Sequence, residues 1–219
     1  SDVCSSDLYI HWDEKRKAYQ NQTGDIRRGV GMALFSYKTG VWPISLEIAG
    51  ARLSLNQDGS VQLQVGATEI GQGADTVFSQ MAAETLHMDI SRVHIVTQQD
   101  TDVTPFDTGA YASRQSFVTG TAVKECAQQL KQKILEYART LVPGNVDRLE
   151  LEDGYILADG KPAISLEDLA MESYYSLSNS SVLTAEVSRQ VKKNTVASGC
   201  CFAEVEVDMK LGKIKRSEE

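Results

Sequence analysis

Cysteine, proline, histidine and aromatic residues are all scarce: the 219 residues contain four Cys, four Pro, three His and 7% Phe, Trp and Tyr. The cysteines, Cys4, Cys126, Cys200 and Cys201, include no C-x-x-C pair. That argues against structural zinc or an iron–sulfur cluster held by this segment. Cys200 and Cys201 are adjacent, and neighbours on an alternating strand face opposite ways. One buried and one solvent-side thiol is therefore expected rather than a disulfide. Basic charge is short as well: 22 Lys and Arg against 30 Asp and Glu leave a net charge of -8. Without a basic surplus the chain is not drawn to phosphate backbones or anionic lipid, so no nucleic-acid partner is expected. Apolar runs stop after a few residues, and no charged leader with an apolar stretch and small-residue cleavage site opens the chain. A soluble, cytoplasmic protein without a membrane partner is the expectation.

Familiar chemical motifs are missing too. A dinucleotide loop needs a small third residue in G-x-G-x-x-G, but Gly71-Gln72-Gly73 is followed by Thr76 there and Gly29-Val30-Gly31 by Leu34. There is no Gly-Lys-Ser/Thr phosphate loop, no G-x-S-x-G elbow and no H-E-x-x-H pair. His11, His87 and His94 all lie outside glycine-rich loops. Standard nucleophile and metal chemistry is not encoded.

What is present is a 42% hydrophobic content, enough for a buried core. Leu53, Leu55, Val61, Leu63 and Val65 alternate with polar residues around Asp58-Gly59, the pattern of a half-buried hairpin. A helix is predicted from Ala74 to Met88, just after a glycine loop, then a short strand over Val93–Thr97. From Ser116 to Leu141, apolar positions step by three or four until Pro143-Gly144, predicting the longest helix. A second hairpin is expected around Asp153-Gly154, a short capped helix over Ser165–Tyr174 and an alternating strand over Cys201–Val207. Hairpins and helices alternate without βαβ regularity, which predicts an α+β fold. Residues 9–28 read as a polar linker or helix tail, and 29–215 as part of one larger domain. Residues 1–8 (SDVCSSDL) and 216–219 (RSEE) share no pattern with their neighbours and read as translated adapter scars. The natural polypeptide is expected to continue in both directions.

Two segments could carry chemistry. Gly71-Gln72-Gly73 stands where a strand gives way to a helix, so backbone N–H groups and the helix dipole would favour an anion, with the Gln72 amide beside them. The second is the long polar loop Asp100–Gly120, in which Ala112-Ser113-Arg114-Gln115 leads into the longest helix and supplies a second set of N-terminal amides. Arg114 could present its backbone to a ligand or brace the loop through Asp102 or Asp107. Long irregular loops inside compact domains are usually functional.

These segments, GATEIGQG at 66–73 and TDVTPFDTGAYASR at 101–114, resemble the molybdopterin-binding segments of the xanthine oxidase family. The likeness extends from Tyr9 to Lys215 and is nearest to the molybdenum-binding subunits of bacterial xanthine dehydrogenases. It implies part of a molybdopterin-binding domain, with hairpins, a mixed sheet and packed helices. It also implies a molybdenum–molybdopterin cofactor, in its cytosine dinucleotide form. Ile70, Gly71 and Gln72 would meet one side of the cofactor, and Ala112, Ser113, Arg114 and Gln115 the other. No residue here would ligate the metal directly. Trp42, in Gly40-Val41-Trp42-Pro43, would fall near an aromatic wall against the substrate. Activity would be hydroxylation of hypoxanthine or xanthine with water as oxygen source, electrons leaving through Fe–S and FAD partner subunits to NAD. The glutamate acting as general base would lie beyond Lys215, leaving this segment inactive alone. An aldehyde or other N-heterocycle hydroxylase, or a non-catalytic cofactor-binding homologue, are the alternatives.

Overall fold

The computed structural model describes residues 10–218. Backbone packing divides the chain into two units, residues 1–38 with 195–219, and residues 39–194. This division runs through the stretch 29–215 read as part of one larger domain. Local pattern cannot reveal it, because the first unit joins segments more than 150 residues apart.

In the larger unit, β2 (Ile48–Leu55), β3 (Val61–Val65), β4 (Val93–Ile95) and β8 (Thr184–Gln190) form a sheet in the order β4-β3-β2-β8. β2 pairs antiparallel with β3 and β8, while β3 and β4 run parallel, so the sheet is mixed as expected. Register follows from the two-residue period: Ala51, Leu53 and Leu55 face Val65, Leu63 and Val61, and all six are buried. Onto this apolar face pack α2 (Ala74–Leu86) and α3 (Gln115–Leu141). Val118, Ala122, Cys126, Leu130, Ile134 and Ala138 of α3 are fully buried, giving the stripe that the sequence periodicity predicts. The Cys126 thiol donates to the Ala185 carbonyl oxygen, and burial pushes its pKa up to about 11, which keeps it an inert core group.

A separate antiparallel sheet, β5 (Leu149–Glu152), β6 (Tyr155–Ala158) and β7 (Lys161–Ser165), leads into α4 (Leu166–Tyr175). Ser165 Oγ accepts from Asp168 N at 3.0 Å and caps that helix, matching the capped helix read from the sequence.

The smaller unit holds α1 (Trp12–Ala18) and a sheet in the order β1 (Ile26–Thr39), β9 (Thr195–Asp208), β10 (Lys213–Glu218). Here the sequence reading falls short. The stretch 9–28, read as a polar linker or helix tail, contains α1 and the first residues of β1, and the strand read over Cys201–Val207 is twice as long. Leu34 and Phe35, in the apolar run GVGMALF, are exposed, so period-2 burial is absent and the strand signal is weak. Arg216–Glu218 of β10 pair with Val205, Glu204 and Ala203 of β9. A ladder of backbone hydrogen bonds does not require a side-chain pattern. Of the adjacent thiols, Cys200 is only half-buried and Cys201 is exposed, so neither is the buried partner expected from strand alternation; Cys4 lies outside the described residues. No helix among the described residues is long and apolar enough to cross a membrane.

Candidate functional site

The two segments singled out in the sequence meet across a cleft of about 350 Å³ lined by Ile70, Gln72, Ala74 and Val77 on one side and Ala110, Tyr111 and Ser113–Ser116 on the other. One wall is therefore the turn entering α2 and the other the turn entering α3. The structure brings Ile70, Gln72, Ser113, Arg114 and Gln115 to one place, with Gly71 and Ala112 in the same two turns.

What holds the walls together is a small amide network. Gln72 Oε1 accepts from Ile70 N at 2.7 Å, while its Nε2 donates to the Gln115 side-chain oxygen and, at 3.3 Å, to the Thr68 carbonyl. Gln115 Nε2 donates to the same Thr68 carbonyl at 3.0 Å. The two amides thus brace one loop against the other.

The N-terminus of α2 is not an open anion site. Glu69 Oε1 accepts from Gly71 N at 2.6 Å and Gly73 N at 3.1 Å, and its Oε2 accepts from Asp75 N at 3.1 Å. The helix's own carboxylate fills the position expected for a ligand's anion. Desolvation would raise the Glu69 pKa, but these backbone donors outweigh it and hold the carboxyl below the ordinary carboxylate range. Asp75 goes the other way: burial, then the Glu69 charge, push it up, and its Oδ1 is buried without a hydrogen-bond partner.

The α3 entrance is built differently. Ala112 and Ser113 both adopt the left-handed conformation (φ 49° and 52°), which turns the chain sharply before Arg114 begins the helix. No side chain caps this helix. Gln115 and Ser116, whose first-turn N–H groups have no carbonyl one turn back inside the helix, line the cleft.

Arg114 resolves the choice left open by the sequence. Its side chain is fully buried, with the guanidinium carbon 5.5 Å from the centre of the Tyr111 ring. Nε donates to Glu47 Oε2 and Nη1 to Asp107 Oδ1, both at 2.5 Å; Nη1 also reaches the Gly109 carbonyl and Nη2 the Ile48 carbonyl. Burial alone would lower the guanidinium pKa, yet Glu47 and Asp107 more than compensate and raise it. The brace runs through Asp107, not Asp102. Glu47 was missed altogether, because nothing local in LEIAG marks a glutamate as buried.

Steric limits fix the loop above the sheet. Gly50 N donates to the Phe106 carbonyl at 2.8 Å, and a Cβ on Gly66 would sit 2.1 Å from the Pro105 carbonyl oxygen. Any side chain at 66 would lift the loop. Trp42 is half-buried beside the cis Trp42–Pro43 bond and does not line the cleft. Its turn is tied to the cleft wall through Gly40 N, which donates to the Ala112 carbonyl at 2.8 Å.

An organic cofactor approaching through backbone groups fits this cleft: it is concave, its α3 wall carries free helix-entrance amides, and Gly71 and Gly73 leave open space where side chains would stand. No group of three or more His, Cys, Asp and Glu suited to a metal ion occurs among the described residues.

Comparisons with known proteins agree. The xanthine dehydrogenase molybdenum-binding subunit of Escherichia coli O157:H7 is 48% identical over 208 residues, covering 94% of this chain and 28% of the relative. The 6-hydroxypseudooxynicotine dehydrogenase complex subunit gamma of Paenarthrobacter nicotinovorans is 30% identical over 163 residues, covering 74% of this chain and 20% of the relative. Among solved structures, CO dehydrogenase from Oligotropha carboxidovorans superposes with a TM-score of 0.78 at 23% identity, covering 98% of this chain and 28% of that one. Quinoline 2-oxidoreductase from Pseudomonas putida 86 gives 0.70 at 19%, covering 99% of this chain and 28% of that one. The chain thus spans between a fifth and little more than a quarter of these relatives' length. With the molybdopterin cofactor-binding domain family matching residues 8–218, this chain belongs to that family.

Proposed function

We propose that this chain forms one part of the cofactor cleft in a xanthine dehydrogenase-like molybdenum hydroxylase that oxidises hypoxanthine or xanthine. The observation that carries the reading is the cleft itself, where the turns at Ile70–Gly73 and Ala112–Gln115 are linked through Gln72 and Gln115. The cofactor, molybdenum on a pterin with a cytosine nucleotide, supplies the redox chemistry and the transfer of oxygen from water.

The chain's own residues bind and orient. Gln115 and Ser116 would offer first-turn N–H groups to the anionic portion of the cofactor, while Ala112 and Ser113 shape the turn that leads into them. Ile70, Gly71 and Gln72 form the opposite wall, where the glycine backbone allows close approach. Because Glu69 already satisfies the α2 entrance, the α3 entrance is the one that would hold the phosphates. Arg114 serves through its backbone, its side chain being committed to Glu47 and Asp107. Trp42, on the turn anchored to Ala112, is assigned to the substrate side. The general base and the Fe–S and FAD carriers that pass electrons to NAD come from outside this chain, in a cytoplasmic complex.

The full polypeptide carrying Gln72→Ala tests this. Losing the amide unties Ile70 from Gln115 at a cost of about 1 kcal/mol, roughly five-fold in cofactor retention. Metal analysis of purified protein should show molybdenum falling relative to wild type and to Gln57→Ala at the exposed hairpin turn. Equal molybdenum in all three contradicts the site assignment, and xanthine turnover by wild type tests the substrate class.

A further inference from the structure

Glu47 is a buried carboxylate that the cofactor-site reading leaves without a task. Its two oxygens serve different segments. Oε1 accepts from Val41 N at 2.5 Å, in the turn that carries Trp42, and Oε2 accepts from Arg114 Nε at 2.5 Å, at the root of the turn that walls the cleft. Side-chain exposure is 1% for Glu47 and 0% for Arg114 and Asp107. Three further contacts converge on the same junction. Gly40 N donates to the Ala112 carbonyl, the Asn194 amide donates to the Trp42 carbonyl, and Val191 N donates to the Glu47 carbonyl at 2.7 Å. Gly40 has φ 82°, and a Cβ there would come within 3.0 Å of Glu47 Oε1 and 3.1 Å of Asn194 Oδ1. The junction is closed on every side around one carboxylate.

We propose that Glu47 is a positioning residue that sets the register between the Trp42 turn and the Ala112–Gln115 wall of the cleft. The hydrogen-bond chemistry makes this specific. Both partners of Glu47, Val41 N–H and Arg114 Nε–H, are donors, so the residue must offer an acceptor at each end. A glutamine has only one, and either orientation of its amide sets an NH2 against a donor. Asp107 differs, because one of its oxygens faces the Thr119 hydroxyl, which can accept as well as donate. The cleft wall is also held through Asp107 and the Gly109 carbonyl. Loss of the Glu47 acceptor therefore frees the Trp42 turn more than the wall itself. In a core-stabilising role, by contrast, both turns would loosen together.

That the freed turn meets substrate rests on the function proposed above; the register claim does not. The experiment is Glu47→Gln in the full polypeptide with its partner subunits, with exposed Glu84→Gln as control. Hydrogen exchange should speed at least ten-fold in residues 40–46, with residues 108–116 changing less. Molybdenum content should stay near wild type, and KM for xanthine should rise several-fold with kcat little altered. Should the glutamine variant aggregate, Glu47→Asp keeps the buried charge but is one carbon too short to reach both donors, and the same exchange pattern is expected. Unchanged exchange at 40–46, or equal acceleration of both turns, overturns the proposal. A wild type that holds no molybdenum overturns the cofactor reading instead, and the exchange result still decides the role of Glu47.

Discussion

The entrances of α2 and α3 face the same cleft, follow glycine- and alanine-rich turns of similar length, and differ in what meets their unpaired N–H groups. At α2 the answer comes from inside the chain: Glu69 accepts from three backbone donors and neutralises the positive end of the helix. At α3 the entering residue is Arg114, whose side chain turns inward to Glu47 and Asp107 and leaves the entrance uncapped. Equal helix dipoles therefore give unequal anion sites. A helix N-terminus is available to a ligand only where no neighbouring carboxylate reaches it.

Breaking the α3 side should have the largest effect. Arg114→Met leaves two carboxylates buried without a cation, a change expected to cost about 3–5 kcal/mol. Urea denaturation of the full polypeptide measures it, and a loss below 1 kcal/mol would show that the cluster is more hydrated than its burial indicates. Next comes the loop that carries Asp107. Gly66→Ala drives a methyl into the Pro105 carbonyl, a backbone atom that cannot swing aside, and about 1–3 kcal/mol of destabilisation is expected. Faster proteolysis between residues 100 and 110 should accompany it, and a wild-type melting temperature would contradict the close approach.

The smallest effect belongs to α2. Glu69 has its carboxyl pKa depressed in the folded protein, so its contribution is present above the ordinary carboxylate pKa of about 4.3 and fades as pH falls through the lower folded value. Glu69→Gln should be modestly less stable than wild type at pH 7, with the gap closing on acidification toward pH 3. A gap independent of pH would mean that the carboxylate charge plays no part in the cap. The same substitution sharpens the contrast between helices, since it opens the α2 entrance to an added anion while leaving α3 untouched.

Much of the larger unit was legible beforehand because its signals are local. The period of two around Asp58-Gly59, the steps of three and four from Val123 to Leu141 and the Ser165 cap each lie within one element and follow from backbone geometry. The smaller unit was far less legible. β1 and β9 are long strands with little period-2 burial, and their pairing spans most of the chain. At the site, the motif residues were found but their roles were only partly read. Gln72 and Gln115 were each visible, whereas their mutual hydrogen bond joins residues 43 apart.

By itself the sequence determined the secondary elements of the main sheet and its two helices, the glycine turn, the polar loop and the family resemblance. Those depend on the order of side chains within a few turns of backbone. Only the tertiary structure decided that Glu69 closes one helix entrance, that Arg114 faces inward, and that Glu47 is buried between two turns. Charged side chains look alike in sequence whether they meet water or a partner. Their role is set by desolvation and by which donors the fold brings within 3 Å, a property of the packed chain and not of any one segment.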